Sequence, residues 1–348
     1  MNIVVLTKNF GMNYTGATVA TNNLTNKWCN SRDVGSVHII ARNFGEFTKH
    51  EKLIIHKFKT YKEAIEIISS LNSEENIFYS DDHYGVLLAV KHVNYVHTYH
   101  GNWPDAKHID YKFFIKSIYF IPLYAFTIKN AQTVVNVSKY MEKFTGRYNK
   151  SSMLIRNGVN EKTIYTSKKS KESFPKKVLM IGGIDGRKYG QLKKILPSLN
   201  KKIHIDIYGN FIDDKIVKFL QNEPQVTLKG FIDFNEIEFE NYGVYLSVST
   251  IENLPISIVE IIKQGLPVMA YDVGGISEIV NTSNGVLLDK KEKPDVICQK
   301  LYNIIFGKDE FTQDKSLDEF DWTISSQKYL TLFRKIYLNT RGKCNDNE

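Results

Sequence analysis

The chain has 348 residues, which predicts about two domains, and its 42% apolar content is sufficient for a sizeable hydrophobic core. Lysine and arginine outnumber aspartate and glutamate by 46 to 38, and the net charge of +8 fits an anionic substrate, an anionic membrane or nucleic acid. Because no nucleic-acid recognition motif is present, we expect no nucleic acid among the partners. The three widely spaced cysteines, Cys29, Cys298 and Cys344, argue against a disulfide framework or structural zinc and for a reducing compartment.

The N-terminal part alternates strand and helix patterns. Residues 1–8 are too short for a signal peptide and predict a first strand at 3–6. A loop at 9–18 and a helical pattern at 19–30 lead to a second strand at 37–41. This β-α-β order predicts a parallel, doubly wound sheet, in which ligands bind beyond the carboxyl ends of the strands.

Two later strands of this part end in polar clusters. The predicted strand at 77–79 leads to Asp81, Asp82 and His83, and the predicted strand at 93–99 leads to His100. The strand-end position and the glycine that follows His100 favour a ligand contact over a structural histidine. For the Asp81–His83 cluster, a pocket lining and a solvated loop are both compatible with the pattern.

Residues 107–129 interleave lysines with aromatic and aliphatic side chains. Lys112 and Lys116 share one helix face, so the segment predicts an amphipathic helix that lies in an anionic membrane interface. The alternative is a core helix with lysines that extend to solvent. The longest apolar run, 117–128, is interrupted by Pro122 and is too short to span a bilayer.

The polar segment 163–177 predicts an interdomain linker, after which a second β-α-β series begins at residue 178. Gly182 and Gly183 permit close backbone approach to a phosphate, and the cations of Arg187 and Lys188 follow. The chain contains no Asp-x-Asp sequence, so we expect no metal bridging a diphosphate and no cofactor.

The most informative stretch is a predicted strand at 242–248, a loop with Glu252, and a helix that begins near Pro255. The N–H groups at the helix start and the helix dipole favour a phosphate. Glu252 in the loop can contact a sugar, and Glu260, about two turns into the helix, can accept hydrogen bonds from a ribose diol. Together these features predict a nucleotide-sugar site.

Glu252 and Glu260, separated by seven residues in this strand–loop–helix context, resemble the signature of retaining GT-B glycosyltransferases, family 4 in particular. Gly265–Pro267 and Gly274–Gly275 resemble the next landmarks of that family, and the resemblance is sparse only over residues 42–76. It implies an α/β, GT-B fold with two Rossmann-like, doubly wound parallel-sheet domains that face a cleft. It also implies an N-terminal acceptor-side domain at 1–165, on which 323–340 pack back, and a C-terminal nucleotide-sugar domain at 166–322.

The resemblance also implies roles for single residues. Gly16 matches the glycine-rich first loop that approaches the donor phosphates, and His100 matches the histidine that contacts the donor sugar. Lys188 matches a phosphate-clamping lysine, but Gly183 stands where the family has arginine, so either Arg187 substitutes or leaving-group stabilisation is weaker. Further residues are implied at the nucleotide sugar: Asn253, Leu254, Pro255, Ile256 and Glu260. Asp81, Asp82 and His83 are the candidates on the acceptor side.

The implied activity is metal-independent transfer of a hexose or N-acetylhexosamine, with retention, from a nucleotide-diphospho-sugar to a glycan, lipid-linked or protein acceptor. The Asn253-Leu254-Pro255 sequence favours UDP over GDP. We expect a role in bacterial surface polysaccharide or glycoconjugate synthesis, in the cytoplasm or peripherally at the inner face of the cell membrane. A sugar-nucleotide epimerase and a non-catalytic partner of another transferase are alternatives, and Gly183 favours the latter.

Overall fold

The computed structural model describes residues 1–12, 15–159, 177–307, 311 and 317–345, with side chains described up to residue 340. The chain divides into two compact units, the first formed by residues 1–160 and 319–348 and the second by residues 161–318. The predicted domain boundary at 165/166, most of the predicted linker at 163–177, and Asn160 lie outside the described residues.

The first unit is built on a seven-stranded parallel sheet in the order β3-β2-β1-β4-β5-β6-β7. Its strands are β1 (Asn2–Phe10), β2 (Val37–Phe44), β3 (Leu53–Lys57), β4 (Asn76–Ser80), β5 (Tyr95–Tyr99), β6 (Thr133–Asn136) and β7 (Ser152–Leu154). The helices between them are α1 (Gly16–Cys29), α2 (Tyr61–Ser70), α3 (Gly85–Val90), α4 (Trp103–Ala106), α5 (Tyr111–Asn130) and α6 (Lys139–Thr145).

Strand β1 shows why this sheet is covered on both faces. Ile3 and Val5 belong to one buried cluster, and Val4 and Leu6 belong to a second cluster on the opposite face. Successive side chains of a strand point to opposite faces, so an uninterrupted apolar strand requires helices on both sides. The predicted doubly wound sheet is confirmed.

The second unit contains a six-stranded parallel sheet in the order β10-β9-β8-β11-β12-β13. Its strands are β8 (Lys177–Ile181), β9 (His204–Tyr208), β10 (Val226–Gly230), β11 (Val244–Ser247), β12 (Val268–Tyr271) and β13 (Gly285–Leu288). Its helices are α7 (Gly186–Tyr189), α8 (Leu192–Ile195), α9 (Asp214–Gln221), α10 (Ile256–Lys263) and α11 (Pro294–Ile305).

The last helix, α12 (Trp322–Asn345), packs on α1 of the first unit. The ring of Trp28 lies 5.7 Å from that of Tyr329 and 5.3 Å from that of Phe333, in edge-to-face arrangements. Such aromatic pairs add to the large apolar area that each ring buries. The helix that returns to the first unit was predicted, and this buried aromatic cluster holds it there.

Several predicted boundaries were wrong. Residues 9 and 10 extend β1, and α1 begins at Gly16, because Thr15 caps it in a reciprocal pair with Thr18. The segment 42–76, in which no element was predicted, contains β3 and α2. Helix α12 extends to Asn345, beyond the range 323–340 that was predicted to pack back on the first domain.

Helix α5 continues through Pro122, which was predicted to interrupt the apolar run. Asp110 caps its start by accepting a hydrogen bond from the Phe113 N–H at 2.8 Å. Within the part of the chain that the structure describes, no helix combines the length and the hydropathy needed to cross a bilayer.

Candidate functional site

In the second unit the strand order reverses between β8 and β11, which are neighbours in the sheet. The crevice beyond the carboxyl ends of such strands is where doubly wound sheets bind ligands. Lys188 of α7 follows β8, and Glu252 lies in the loop after β11. The two side chains meet there, with Lys188 Nζ 3.5 Å from Glu252 Oε1.

A backbone contact between the two loops holds this pair. The Thr250 N–H donates to the carbonyl oxygen of Arg187 at 2.9 Å, so the residues next to Lys188 and Glu252 are fixed relative to each other. The carboxylate of Glu252 raises the pKa of Lys188, which opposes the effect of burial. The lysine therefore stays charged at neutral pH, as a phosphate ligand must.

Two glycines allow the loops to come this close. Gly182 has φ of +138°, and its Cα faces the Lys188 side chain, whose Nζ would lie 2.9 Å from an added Cβ. Gly274 has φ of +61°, and an added Cβ would lie 2.1 Å from the carbonyl oxygen of Glu252. Any side chain at Gly274 would displace the Glu252 loop, so this glycine shapes the site through its close approach to that loop.

Five further polar residues, to which we assigned no role, also line the crevice: Tyr189, Tyr245, Ser247, Ser249 and Ser257. The Tyr245 hydroxyl donates to the Ile181 carbonyl oxygen at 3.4 Å and interacts with Ser257. Burial raises the pKa of Tyr245, so it remains a neutral hydrogen-bonding group. Its only signal in the sequence was a tyrosine in the middle of the predicted strand at 242–248, which leads to the Glu252 loop.

Helix α10 begins beside the Lys188–Glu252 pair. Pro255 occupies its N-cap position, and no side chain among the described residues caps this helix. The preceding Asn253 and Leu254 are buried, and the Asn253 carbonyl oxygen accepts a 2.6 Å hydrogen bond from the Gly275 N–H. Ile256 is the first helical residue and Glu260 lies half-buried further along the helix. The helix start therefore has the polarity that binds an anion.

Arg187 lies differently from its neighbour Lys188. Its Nε and Nη2 donate to Asp185 Oδ2 at 3.0 and 2.5 Å, and Asp185 also caps α7 by accepting from the Arg187 and Lys188 N–H groups. The guanidinium is thus engaged by its own loop. That Arg187 stabilises a leaving group remains a prediction. It requires the guanidinium to give up its hydrogen bonds to Asp185 and bind the ligand instead.

Gly183, which stands where the family has arginine, is packed against Ile212. An added Cβ at Gly183 would lie 2.3 Å from Ile212 Cδ1. Because that atom ends a side chain that is mostly exposed, it can move to admit a larger residue. The isoleucine therefore occupies part of the space that a side chain at position 183 would need.

In the first unit, His100 follows β5 and is half-buried. Burial lowers its pKa to about 4, so the imidazole is neutral at physiological pH. Gly16 opens α1, and an added Cβ there would contact nothing within 4 Å. His100 directly follows strand β5, and Gly16 is the first residue of the helix that follows β1. The contact of His100 with the donor sugar and that of Gly16 with the donor phosphates remain predictions.

The Asp81–His83 cluster is not a solvated loop, because Asp81 is buried and Asp82 and His83 are half-buried. Asp81 is buried and accepts a hydrogen bond from the Thr21 hydroxyl, while Asp82 accepts from the Lys8 N–H at 2.6 Å and the Tyr84 N–H at 2.8 Å. His83 packs edge-on against the ring of Phe120. The two carboxylates are used to hold loops of the first unit, and a contact between this cluster and an acceptor remains a prediction.

Comparison with known families agrees with this geometry. A family model described as Glycosyl transferases group 1 matches residues 175–305, and the model described as Glycosyltransferase Family 4 matches residues 77–163. The two matches together span more than half of the chain. The chain carries domains of the group 1 and family 4 glycosyltransferases. The predicted family and the assignment to the transferases are therefore confirmed.

Individual relatives of this glycosyltransferase differ in how much they share with it. The GtfA subunit of a UDP-N-acetylglucosamine–peptide N-acetylglucosaminyltransferase from Streptococcus pneumoniae is 34% identical over 27% of the chain, a match that covers only 19% of that protein. The uncharacterized glycosyltransferase MJ1178 of Methanocaldococcus jannaschii is 26% identical over 86% of the chain and 89% of its own length.

The solved structure of HepE from Anabaena in complex with UDP-glucose superimposes with a TM-score of 0.71 at 15% identity, over 96% of this chain and 100% of that one. At this identity the likeness shows the fold alone. Together with the two parallel sheets of this chain, that likeness confirms the predicted GT-B architecture.

Proposed function

We propose that this chain is a retaining glycosyltransferase that uses a UDP-sugar as donor and needs no metal. The observation that carries the proposal is the Lys188–Glu252 pair, 3.5 Å apart, beside the start of α10 at the switch point of the second sheet. Lys188 and the start of α10 bind the diphosphate, and the adjacent carboxylate of Glu252 binds the sugar hydroxyls.

The leaving group defines what the site must do. When the bond between the anomeric carbon and the β-phosphate oxygen breaks, negative charge accumulates on the diphosphate. Lys188 and the N–H groups at the start of α10 stabilise that charge in place, and such preorganised donors are usually the largest catalytic contribution. These groups supply the positive charge that a bridging metal provides in other transferases.

The transfer itself follows from the same arrangement. The acceptor hydroxyl oxygen forms a bond to the anomeric carbon on the face that the diphosphate leaves, and its proton passes to the departing phosphate oxygen. Glu252 orients the sugar hydroxyls, and Glu260 accepts hydrogen bonds from the ribose. This course retains the anomeric configuration without a nucleophile from the protein.

The choice of donor and acceptor is supported by relatives and by the Asn253-Leu254-Pro255 sequence. HepE was solved with UDP-glucose, and the streptococcal relative is named for UDP-N-acetylglucosamine and a peptide. We therefore propose a hexose or N-acetylhexosamine donor. The acceptor class is a glycan, a lipid-linked sugar or a protein, in synthesis of a cell-surface polysaccharide or glycoconjugate inside the cell.

A donor screen tests the proposal. The purified protein is heated with UDP-, GDP- or ADP-sugars, with and without EDTA, and hydrolysis of each donor is followed. We expect a raised melting temperature with a UDP-sugar and slow hydrolysis that EDTA does not abolish. Absence of any shift with every nucleotide sugar would contradict the proposal and favour the non-catalytic alternative. Loss of hydrolysis in EDTA alone would contradict metal independence.

A further inference from the structure

Helix α5 has two apolar faces, and only one of them is buried. Ser117, Tyr124 and Ile128 face the interior of the first unit. The opposite side of the helix exposes a continuous stripe of large apolar residues: Tyr111, Phe114, Ile115, Ile118, Tyr119 and Phe126. Ile118, at the centre of this stripe, is 63% exposed. A contiguous exposed patch of this kind marks an interaction surface.

The charge of α5 identifies the kind of partner. The helix carries Lys112, Lys116 and Lys129 and contains no acidic residue. Lys112 and Lys116 are one turn apart on a single edge of the stripe, and Lys116 Nζ lies 5.5 Å from the centre of the Phe113 ring. An apolar surface bordered by cations is complementary to a surface that is apolar inside and negatively charged outside.

We propose that α5 docks its exposed apolar stripe, defined above, into the interface of an anionic membrane. The helix lies along the surface rather than across it, since none of the described helices is apolar enough to span a bilayer. Tyr111 and Tyr119 suit the headgroup region, because their rings are apolar and their hydroxyls remain hydrated. Tyr61 of α2 interacts with Tyr119 and widens the aromatic surface beside the stripe.

A second copy of the chain is a poorer occupant. A two-fold interface places the same patch of both subunits face to face. In such an interface, the α5 helix of the other copy offers these lysines no acidic partner. An anionic lipid headgroup pairs with these lysines, whereas another α5 repels them.

Vesicle cosedimentation tests the proposal on the full chain. We expect binding to vesicles of phosphatidylcholine and phosphatidylglycerol in equal amounts, little binding to phosphatidylcholine alone, and weaker binding as salt increases. Each lysine near an anionic surface contributes about fivefold, so Lys112→Gln with Lys116→Gln should weaken binding about 25-fold. Ile118→Ser should weaken it about tenfold through lost apolar burial.

Matched variants control for charge and apolarity. Lys201→Gln with Lys202→Gln makes the same charge change at exposed sites of the second unit. Leu338→Ser removes an apolar side chain that is 65% exposed on α12. Both controls should bind vesicles as the parent does. Equal losses in these controls, or no vesicle binding by the parent, would overturn the proposal. So would a parent that dimerises in solution and is made monomeric by Ile118→Ser.

Membrane docking also bears on the acceptor, an extension that rests on the proposed function. A chain held at the lipid surface by α5 is suited to an acceptor whose sugar is attached to a lipid. The two proposals fail separately, because stabilisation by a UDP-sugar is measured without vesicles. The α5 variants should keep the full nucleotide-induced shift while they lose vesicle binding.

Discussion

Replacing Lys188 by glutamine removes one positive charge from the proposed leaving-group site and keeps most of the side-chain length. Lys188 Nζ lies 3.5 Å from the carboxylate of Glu252. A phosphate oxygen held at a similar distance would interact with the lysine by about 5 kcal/mol at an effective dielectric constant of about 20. Loss of a single donor from such sites costs about 2.7–4 kcal/mol, because water replaces part of the interaction. We therefore expect turnover to fall about 100- to 1,000-fold.

The assay is the initial rate of UDP release at saturating donor. The melting temperature of the variant shows whether the fold is kept. Lys194→Gln is the matched control, because Lys194 is an exposed lysine on α8 of the same unit. Its turnover should equal that of the parent.

Two results would refute this reasoning. If Lys188→Gln retained near-parent turnover, Lys188 would not stabilise the leaving group. If Arg187→Gln lowered turnover more than Lys188→Gln, the decisive cation would be Arg187. In that case the guanidinium would have to leave Asp185 when the donor binds, since the two groups are hydrogen bonded in the structure.

Three further predictions concern binding, pH and stability. Glu260→Ala should weaken UDP binding, measured by calorimetry, about tenfold or more, because a hydrogen bond to a charged group contributes about 1.5–3 kcal/mol. An unchanged affinity for UDP would contradict the assignment of Glu260 to the ribose. Burial and the negative charge of Asp82 raise the pKa of Asp81 to about 7, so between pH of about 4 and 7 the native state binds more protons than the unfolded state. The free energy of unfolding should therefore decrease as pH rises through that window, by at most about 1.4 kcal/mol per pH unit, and an equal slope in Asp81→Asn would contradict this cause. Trp28→Ala should lower the free energy of unfolding of the first unit by about 3–5 kcal/mol in denaturant unfolding, because the Trp28 ring is fully buried against α12. A decrease of less than about 1 kcal/mol would show that other contacts hold α12.

The parts of the fold that the sequence predicted well share a physical cause. Strands such as β1 and β11 are buried on both faces, so each contains a run of apolar residues that a short stretch of sequence is enough to recognise. The start of α10 was visible as well, because Pro255 fits the first turn of a helix. In the site, the approach of Lys188 to Glu252 matched the family pattern, which places both residues at strand ends.

Other parts depend on contacts that a local pattern does not contain. The short edge strand β3 has a mostly exposed surface, so it lacks the apolar signal of the central strands. Helix α5 continues through Pro122 because the packing of its buried face outweighs one lost hydrogen bond. For Asp81 the sequence left a pocket lining and a solvated loop open, because its hydrogen bond from Thr21 joins residues that are 60 positions apart in the chain.

Arg187 and Lys188 have different partners because their side chains leave helix α7 in different directions. Consecutive residues of a helix point about 100° apart, so two adjacent cations in the first turn of α7 do not face the same ligand. Asp185 precedes them at the N-cap position, where its carboxylate reaches the Arg187 side chain and leaves Lys188 to cross toward Glu252. An N-cap aspartate two residues before an arginine thus predicts which of two neighbouring cations faces the crevice. Lys188 is for this reason the residue on which the proposed chemistry depends.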